Sequence, residues 1–394
     1  MNCRIQEQGG REMKEGWEYK KLGEVCEILD SRRKPITKNK RESGTIPYYG
    51  ATGILDYVKD YIFDEKLVLL GEDGAKWGAG ENSAYIVEGK TWVNNHAHAL
   101  RPKRDLLKDE LLVYYLNFSN LLPYITGVTV PKLNQEKMRS IEIPIGPITE
   151  QQSIVDYLDS AFAKIDAMKA NAEKALGEAK ALFQASLKET LEPKEGWEEK
   201  KLGDIVSFFS GYAFESKRYT NNNDDILLIC GDNIVHCDFR WETMKHWPKE
   251  EYDDLKRFSL EKNDIVLAMD RAWVKSGLKI AKITPNELPS LLIQRSACIR
   301  APKDISSDFV FYALQTEKFI KHLVSQQNGV GVPHISGKQI LSYKISIPKY
   351  VEQQSIVATL DSLKSKVDRL KANYDKISQE CDALKQAILR QVFE

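Results

Sequence analysis

The chain repeats itself at long range. Lys14-Glu15-Gly16-Trp17-Glu18, followed by Lys20-Lys21-Leu22-Gly23, returns 180 residues later as Lys194-Glu195-Gly196-Trp197-Glu198 and Lys200-Lys201-Leu202-Gly203. Glu150-Gln151-Gln152-Ser153-Ile154-Val155 returns 202 residues later as Glu352-Gln353-Gln354-Ser355-Ile356-Val357. Leu158-Asp159-Ser160, Lys169-Ala170-Asn171 and Val130-Pro131 have their copies, Val332-Pro333 among them, in the same 202 register, so the second copy is 22 residues longer in its interior. Repeats of roughly 20–50 residues stack into solenoids; this one is too long for that and reads as a duplicated domain pair. The order is variable domain, helix, variable domain, helix. The boundaries that follow are 1–13 as a leader expected to be disordered, then 14–149, 150–192, 193–351 and 352–394.

The helical segments carry the clearest periodicity. In the first, Ile154, Leu158, Ala161, Ile165, Met168, Ala172, Ala175, Ala179, Leu182 and Ser186 alternate spacings of 4 and 3. In the second, Ile356, Leu360, Leu363, Val367, Leu370, Tyr374, Ile377, Cys381, Leu384 and Ile388 do the same. A sustained 3.5-residue repeat is a coiled-coil seam. The first seam is rich in Ala and the second in large aliphatics, which predicts that the two helices pack on each other, antiparallel. At ~1.5 Å per residue each would be about 55–60 Å long. Thr149 and Glu150-Gln151-Gln152 offer capping-box chemistry at the first helix start.

Bulk properties set loose limits. Apolar residues make up 42% and charged residues 29%, as in ordinary globular protein. Nothing resembles a membrane span or a secretory signal, so a cytoplasmic protein is expected, without membrane association. Six scattered cysteines, with no C-x-x-C, predict free thiols. Net charge is zero, which argues against nucleic-acid binding by bulk electrostatics but leaves room for local basic patches.

Both variable domains read as mixed α/β, with buried strands that end in polar or glycine-containing loops. Lys66-Leu67-Val68-Leu69-Leu70 runs into Gly71-Glu72-Asp73-Gly74; Ile265-Val266-Leu267-Ala268-Met269 runs into Asp270-Arg271-Ala272-Trp273. The fold class expected is therefore α+β: two mixed α/β domains, each followed by a long helix, the helices pairing as an antiparallel coiled coil. Candidate nucleic-acid contacts lie in the loops. Arg32, Arg33, Lys34, Lys38, Lys40 and Arg41 place six cations in ten residues, suited to phosphate contact. Lys76, Asn94, Asn95, His96 and Lys132 complete the first domain's set. In the second, the candidates are Lys217, Arg218, Tyr219, Arg271, Trp273, Lys275, Gln294, Arg295 and His334. Arg and Gln are singled out because they can grip guanine and adenine edges bidentately.

Catalytic and cofactor signatures are missing from the sequence. His96 and His98 form an H-x-H without acidic or cysteine ligands at a supporting spacing, so no metal is expected. Gly71, Gly74, Gly78 and Gly80 match neither phosphate-loop pattern and read as turns. Ser153 and Ser355 have no implied histidine partner, and there is no Pro-Pro dipeptide of the N-P-P-Y type found in adenine methyltransferases.

Taken together, the motifs resemble the specificity subunit of type I restriction–modification enzymes over residues 13–394. They are Gly-Trp-Glu with Lys-Lys-Leu-Gly opening each half, Tyr49-Gly50-Ala51-Thr52-Gly53, Gly71-Glu72-Asp73-Gly74, Trp92-Val93-Asn94-Asn95-His96-Ala97-His98, and Val130-Pro131-Lys132-Leu133. The second half adds Gly211-Tyr212-Ala213-Phe214 and Val332-Pro333-His334-Ile335-Ser336. The resemblance implies two target-recognition domains, each reading one part of a split sequence in double-stranded DNA. It implies no catalysis by this chain. Two methyltransferase subunits would use S-adenosylmethionine, and motor–nuclease restriction subunits would use ATP with Mg2+; no cofactor is expected on this chain itself. The competing expectation is a coiled-coil adaptor with two heads for ligands other than DNA.

Overall fold

The computed structural model describes residues 15–127, 129–275, 277–325 and 334–394. The expected leader over 1–13 and the Val332-Pro333 copy lie outside them. The chain forms two compact units. Unit one runs to Glu173 and takes in Tyr374–Glu394; unit two is Lys174–Asn373. Each unit thus owns one variable domain and part of both long helices, Ile148–Thr190 and Tyr350–Phe393.

In unit one, β1 (Glu18–Lys21) is joined by β2 (Cys26–Ile28), β3 (Ser43–Gly50), β4 (Gly53–Val58), β5 (Phe63–Asp64), β6 (Leu67–Gly71), β7 (Ala84–Val87), β8 (Lys90–Val93), β9 (Ala97–Pro102) and β10 (Glu142–Ile145). The strands form an antiparallel β1–β10 ribbon, a sheet of order β2-β9-β6-β7, and a sheet of order β4-β3-β8-β5 in which β3 and β8 are parallel. Leu67, Val68, Leu69 and Leu70 are fully buried, so their unbroken apolar run marks the central strand of the core sheet.

Unit two repeats this plan. Its strands are β11 (Glu198–Lys201), β12 (Ser207–Ser210), β13 (Ile226–Ile229), β14 (Lys245–Trp247), β15 (Ile265–Ala268), β16 (Trp273–Val274), β17 (Gly277–Leu278), β18 (Ile280–Lys282), β19 (Ser290–Leu292), β20 (Ser296–Arg300) and β21 (Lys344–Ile347). The ribbon is β11–β21, the core sheet β12-β20-β15-β18, and the second sheet β14-β13-β19 with β13 and β19 parallel. The extra length is also placed. Tyr49 and Ile229 are equivalent at an offset of 180, Gly71 and Ala268 at 197, so most of the insertion lies between β13 and β15.

The repeated motifs hold each other. Trp17 donates from Nε1 to Glu150 at 2.9 Å, and Trp197 to Glu352 at 3.1 Å. Gln151 donates to the Leu106 and Gly146 carbonyls at 2.8 Å, and Gln353 donates to the Pro348 carbonyl at 2.9 Å. Each Gly-Trp-Glu and Glu-Gln-Gln pair therefore clamps a long helix to the domain before it. This corrects the expected capping box. The first helix already starts at Ile148, Thr149 lies inside it, and the Glu150 and Gln151 side chains serve the domain instead.

The helices pair antiparallel. In unit one the Cys381 thiol meets the Ile165 carbonyl at 3.8 Å, Lys169 pairs with Asp382 at 3.2 Å, and Lys385 with Asp166 at 2.6 Å. In unit two Phe183 and Leu187 share a core with Ile356, Leu360, Leu363 and Val367. The heptad frame of the sequence survives at one of its two positions, where Leu158, Ile165, Leu360 and Cys381 are buried, while Ile154 and Ile377 at the other are half-buried. Its alternate position moves. Met168, Leu182 and Leu384 are 58%, 61% and 48% exposed, and Leu370 is also exposed, whereas Leu176 and Phe183 are buried. A seam one residue later buries Leu176 and Phe183 in place of Ala175 and Leu182. Burying a large side chain contributes about 1.5–3 kcal/mol, and an alanine far less.

Candidate nucleic-acid interface

The same backbone scaffold is built at one end of each core sheet. Asn94 N–H donates to Tyr49 O at 3.0 Å, and Ile293 N–H to Ile229 O at 2.8 Å. Glu72 N–H donates to His96 O, and Met269 N–H to Arg295 O, both at 2.9 Å. Leu133 N–H donates to Glu72 O, and Ile335 N–H to Met269 O, both at 2.8 Å. Short bridges join Asp73 to Lys132 and Asp270 to His334. These bonds set the equivalences: Asp73 with Asp270, Gly74 with Arg271, Asn95 with Gln294, His96 with Arg295, and Lys132 with His334. In each unit the aspartate after the central strand holds the base before β9 or β20. Asp73 bonds His96 Nδ1; Asp270 bonds Arg295 at 2.9 Å and also His334 Nδ1.

Beneath these loops unit one buries a charged network. Arg33 donates to Glu72 at 2.5 Å and to the Ala97 carbonyl at 2.7 Å, and pairs with Asp30 at 3.2 Å. Lys132 pairs with Glu72 at 2.7 Å. His98, fully buried, faces Asp30 through Nδ1 at 2.6 Å and donates from Nε2 to the Leu133 carbonyl at 2.7 Å. Burial alone would raise both carboxyl pKa values. Bonds from His98 and the Ala99 N–H, with the charge of Arg33, hold Asp30 below the usual carboxylate range; Lys132 and Arg33 do the same for Glu72.

Asp30, Glu72 and His98 bring ligand atoms within 4.8 Å of one another, a grouping that sequence spacing did not show. Two cations already neutralise the carboxylates, and both nitrogens of His98 are bonded, so these residues do not fit a metal ion. In unit two the corresponding positions are Ser210, Met269 and Ala297, and only a 3.9 Å contact from Ser210 Oγ to the Met269 sulfur remains.

Unit two has a concavity of about 830 Å³ at the scaffold, lined by residues that include Asp232, Asp270, Arg271, Gln294, Arg295 and His334. Arg271 and Arg295 both adopt left-handed backbone, with φ of 45° and 61°. Such a conformation in a non-glycine residue costs of order 1–3 kcal/mol and concentrates at functional sites. The equivalent of Arg271, Gly74, has φ of 71° and open space where a Cβ would stand. Lys279 is buried close by, and its nearest acidic partner is Asp232 at 3.9 Å. Burial above all pulls its pKa down, with Arg240 and Arg271 adding to the effect.

The remaining candidates scatter. Lys34 lies beside the end of β8, its N–H reaching Val93 O at 3.3 Å; Lys34, Lys38 and Lys40 are exposed, and their ammonium groups have no bonded partner among the described residues. Arg33 points into the buried network, and phosphate contact would require it to leave those partners. Arg32 donates to the Ile62 carbonyl at 2.9 Å and covers the Phe63 ring; Arg41 pairs with Asp56 at 3.1 Å and covers Tyr48. Asn94 is buried and accepts from the His96 N–H at 2.8 Å, while Asn95, His96 and Lys76 are exposed. Arg218 lies over Trp247, and Tyr219 packs on the same ring, with Lys217 beside them on the surface, none of them lining the concavity. Trp273 packs on the unit two core, and Lys275 is exposed. Sequence reasoning missed Asp73 and Asp270 as anchors, although each follows its buried strand at the same spacing. It also missed the β3–β4 hairpin, which exposes Ile54, Leu55 and Tyr57. The hairpin turn joins the scaffold through Tyr85, whose hydroxyl donates to the Gly50 carbonyl at 2.5 Å.

Comparison with known proteins agrees with this duplicated architecture. The chain is 26% identical over 388 residues to the type I restriction enzyme MjaVIII specificity subunit of Methanocaldococcus jannaschii, covering 92% of this chain and 89% of that protein. It is 40% identical over 146 residues to a putative type I restriction enzyme specificity subunit of Haemophilus influenzae, covering 37% of each. Its fold matches a chain from a structure of type I R-M system assembly and conformational transition with a TM-score of 0.71 at 17% identity, covering 97% of this chain and 98% of that one. The HsdS subunit from Thermoanaerobacter tengcongensis matches with a TM-score of 0.54 at 18% identity, covering 98% of each. Residues 14–176 and 194–379 each match the family described as the type I restriction modification DNA specificity domain, and the chain, built from two copies of that domain, belongs to this family.

Proposed function

We propose that this chain is the DNA-sequence-recognition subunit of a type I restriction–modification enzyme, and that its two units read unlike halves of a split target. One observation carries the reading. The scaffold is the same in both units, but the side chains at its tips differ: Gly74 against Arg271, Asn95 against Gln294, His96 against Arg295, Lys132 against His334. Two copies of an active site would repeat their chemistry. Two readers of different sequences keep the backbone and vary the tips, because base edges are distinguished by the donors and acceptors presented to them.

In this reading the chain performs no chemistry. Adenine methylation belongs to two methyltransferase subunits that use S-adenosylmethionine, and cleavage to restriction subunits that use ATP and Mg2+. The paired helices fix the non-specific gap between the half-sites, since a stiff spacer defines separation better than a flexible one. The complex works on chromosomal and invading DNA in the cytoplasm; none of the described helices is long and apolar enough to cross a membrane. Zero net charge fits a reader that relies on local groups such as Lys34, Lys38 and Lys40.

The test is selection from a random duplex pool by the chain reconstituted with its host's methyltransferase subunits. The expected product is one bipartite motif with two unlike halves and a fixed gap. A pool without an enriched split motif would refute the reading.

A further inference from the structure

Arg271 alone among the described tip residues combines three features. It is exposed at the mouth of the unit two concavity. Its guanidinium has no hydrogen bond or ion pair among the described residues, whereas the neighbouring Arg295 is tied to Asp270 at 2.9 Å. Its backbone is held at φ 45°, where the matching turn of unit one carries Gly74.

Two acids, Asp270 and Asp232, line the concavity with Arg271. Asp270, the nearest acid in sequence, is already engaged by Arg295 and His334. Asp232 stands 3.9 Å from the nitrogen of the buried Lys279, whose pKa is pulled down by burial above all. A free, forked, positively charged donor on a fixed backbone suits an edge with two adjacent acceptors. In DNA that edge is guanine O6 and N7 in the major groove. A phosphate contact asks for less: a mobile lysine on a relaxed loop supplies it, as Lys34, Lys38 and Lys40 can in unit one.

We propose that Arg271 sets a guanine at one position of the half-site read by unit two, and that Gly74 leaves the matching position of the other half-site unread. The inference rests on the DNA-recognition reading above and deepens it to one residue and one base.

Three versions of the full chain, reconstituted with the methyltransferase subunits, are put through the same random-pool selection: unaltered, R271G and R271K. R271G gives the turn the residue that unit one carries there, so its melting midpoint should equal or exceed that of the unaltered chain. Its guanine preference at one position should fall about ten- to a hundredfold, the span of a lost bidentate contact. The other half-site and the gap should stay the same. R271K should lose part of that preference while keeping the salt dependence of binding, because a lysine keeps the charge but not the planar fork. If R271G selects the unaltered motif, the assignment fails. If R271G keeps the motif while binding every sequence more weakly and with a flatter salt dependence, Arg271 is a phosphate contact and the assignment also fails. If the unaltered chain selects no split motif, the DNA reading itself falls, a result distinct from the other two.

Discussion

Replacing Arg33 by alanine should unfold unit one first, and should do so in a pH-dependent way. The Arg33 side chain is 11% exposed, and the Asp30 and Glu72 carboxylates that it joins are 6% and 10% exposed. Losing one partner of a buried charged group costs about 3–5 kcal/mol, because the remaining charge stays buried without its counterpart. For a unit of this size about 1 kcal/mol moves the melting midpoint by roughly 2–4 °C, so a fall of about 6–20 °C is expected at pH 7. The pH signature follows from the lowered carboxyl pKa values. The stability that Asp30 and Glu72 contribute is fully present above their unfolded pKa values, about 3.9 and 4.3, and is lost as pH falls through their lower folded values. In R33A these carboxyls are held down less, so the deficit, constant near pH 7, should shrink as pH falls from about 5 towards about 3. Calorimetry of both proteins across that range reads it directly. A companion variant, R33A with D30S, E72M and H98A, copies the Ser210, Met269 and Ala297 arrangement of unit two. It should recover most of the loss, since an apolar replacement avoids the desolvation of charge. A deficit in R33A below about 1 kcal/mol, or one that does not change with pH, would refute the structural role given to the network.

Replacing Lys34, Lys38 and Lys40 together by alanine should weaken DNA binding across all sequences and flatten the dependence of log K on log salt, by about 0.9 per lost phosphate contact. An unchanged slope in a salt titration would remove these lysines from the interface. Along the helix seam, F183A should cost about 3–5 kcal/mol and L182A under about 0.5 kcal/mol, measured by thermal denaturation; the reverse order would restore the phase read from sequence. Four residues inserted in the first long helix should change or abolish the preferred gap in pool selection while leaving both half-sites as they were. A gap that stays the same with full activity would dismiss the helices as a ruler.

Architecture was largely legible in the sequence because its signals are local or repeated. The heptads announced two helices, and the two registers announced two domains. The seam phase was not legible at Met168 and Leu182, because alanine-rich heptads score alike in either phase until the partner helix decides which side chain to bury. The placement of the candidate residues was legible in part. Asn95, His96, Arg271, Gln294, Arg295, Lys132 and His334 all stand on the shared scaffold, since polar residues just after buried strands are carried to the loop end of a sheet. The basic stretch misled in part. A run of cations has no period to say which member turns inward, and the acids that capture Arg33 and Arg41 include Glu72 and Asp56, distant in sequence. Pairing of that kind is settled by tertiary contacts alone.

Unit one is discontinuous, and this has a consequence for synthesis. The Phe393 ring packs against Tyr115 at 5.4 Å and Phe118 at 5.6 Å, and Cys381 and Leu389 are buried in the same unit. A ribosome adding about 5–20 residues per second makes all of unit two before it supplies Tyr374–Glu394. For some tens of seconds the first domain waits with that face of its helices open, while the domain encoded after it can already close. Interrupted translation would therefore leave a finished second head on an unfinished first one, and the nascent first domain would be the natural client of a chaperone.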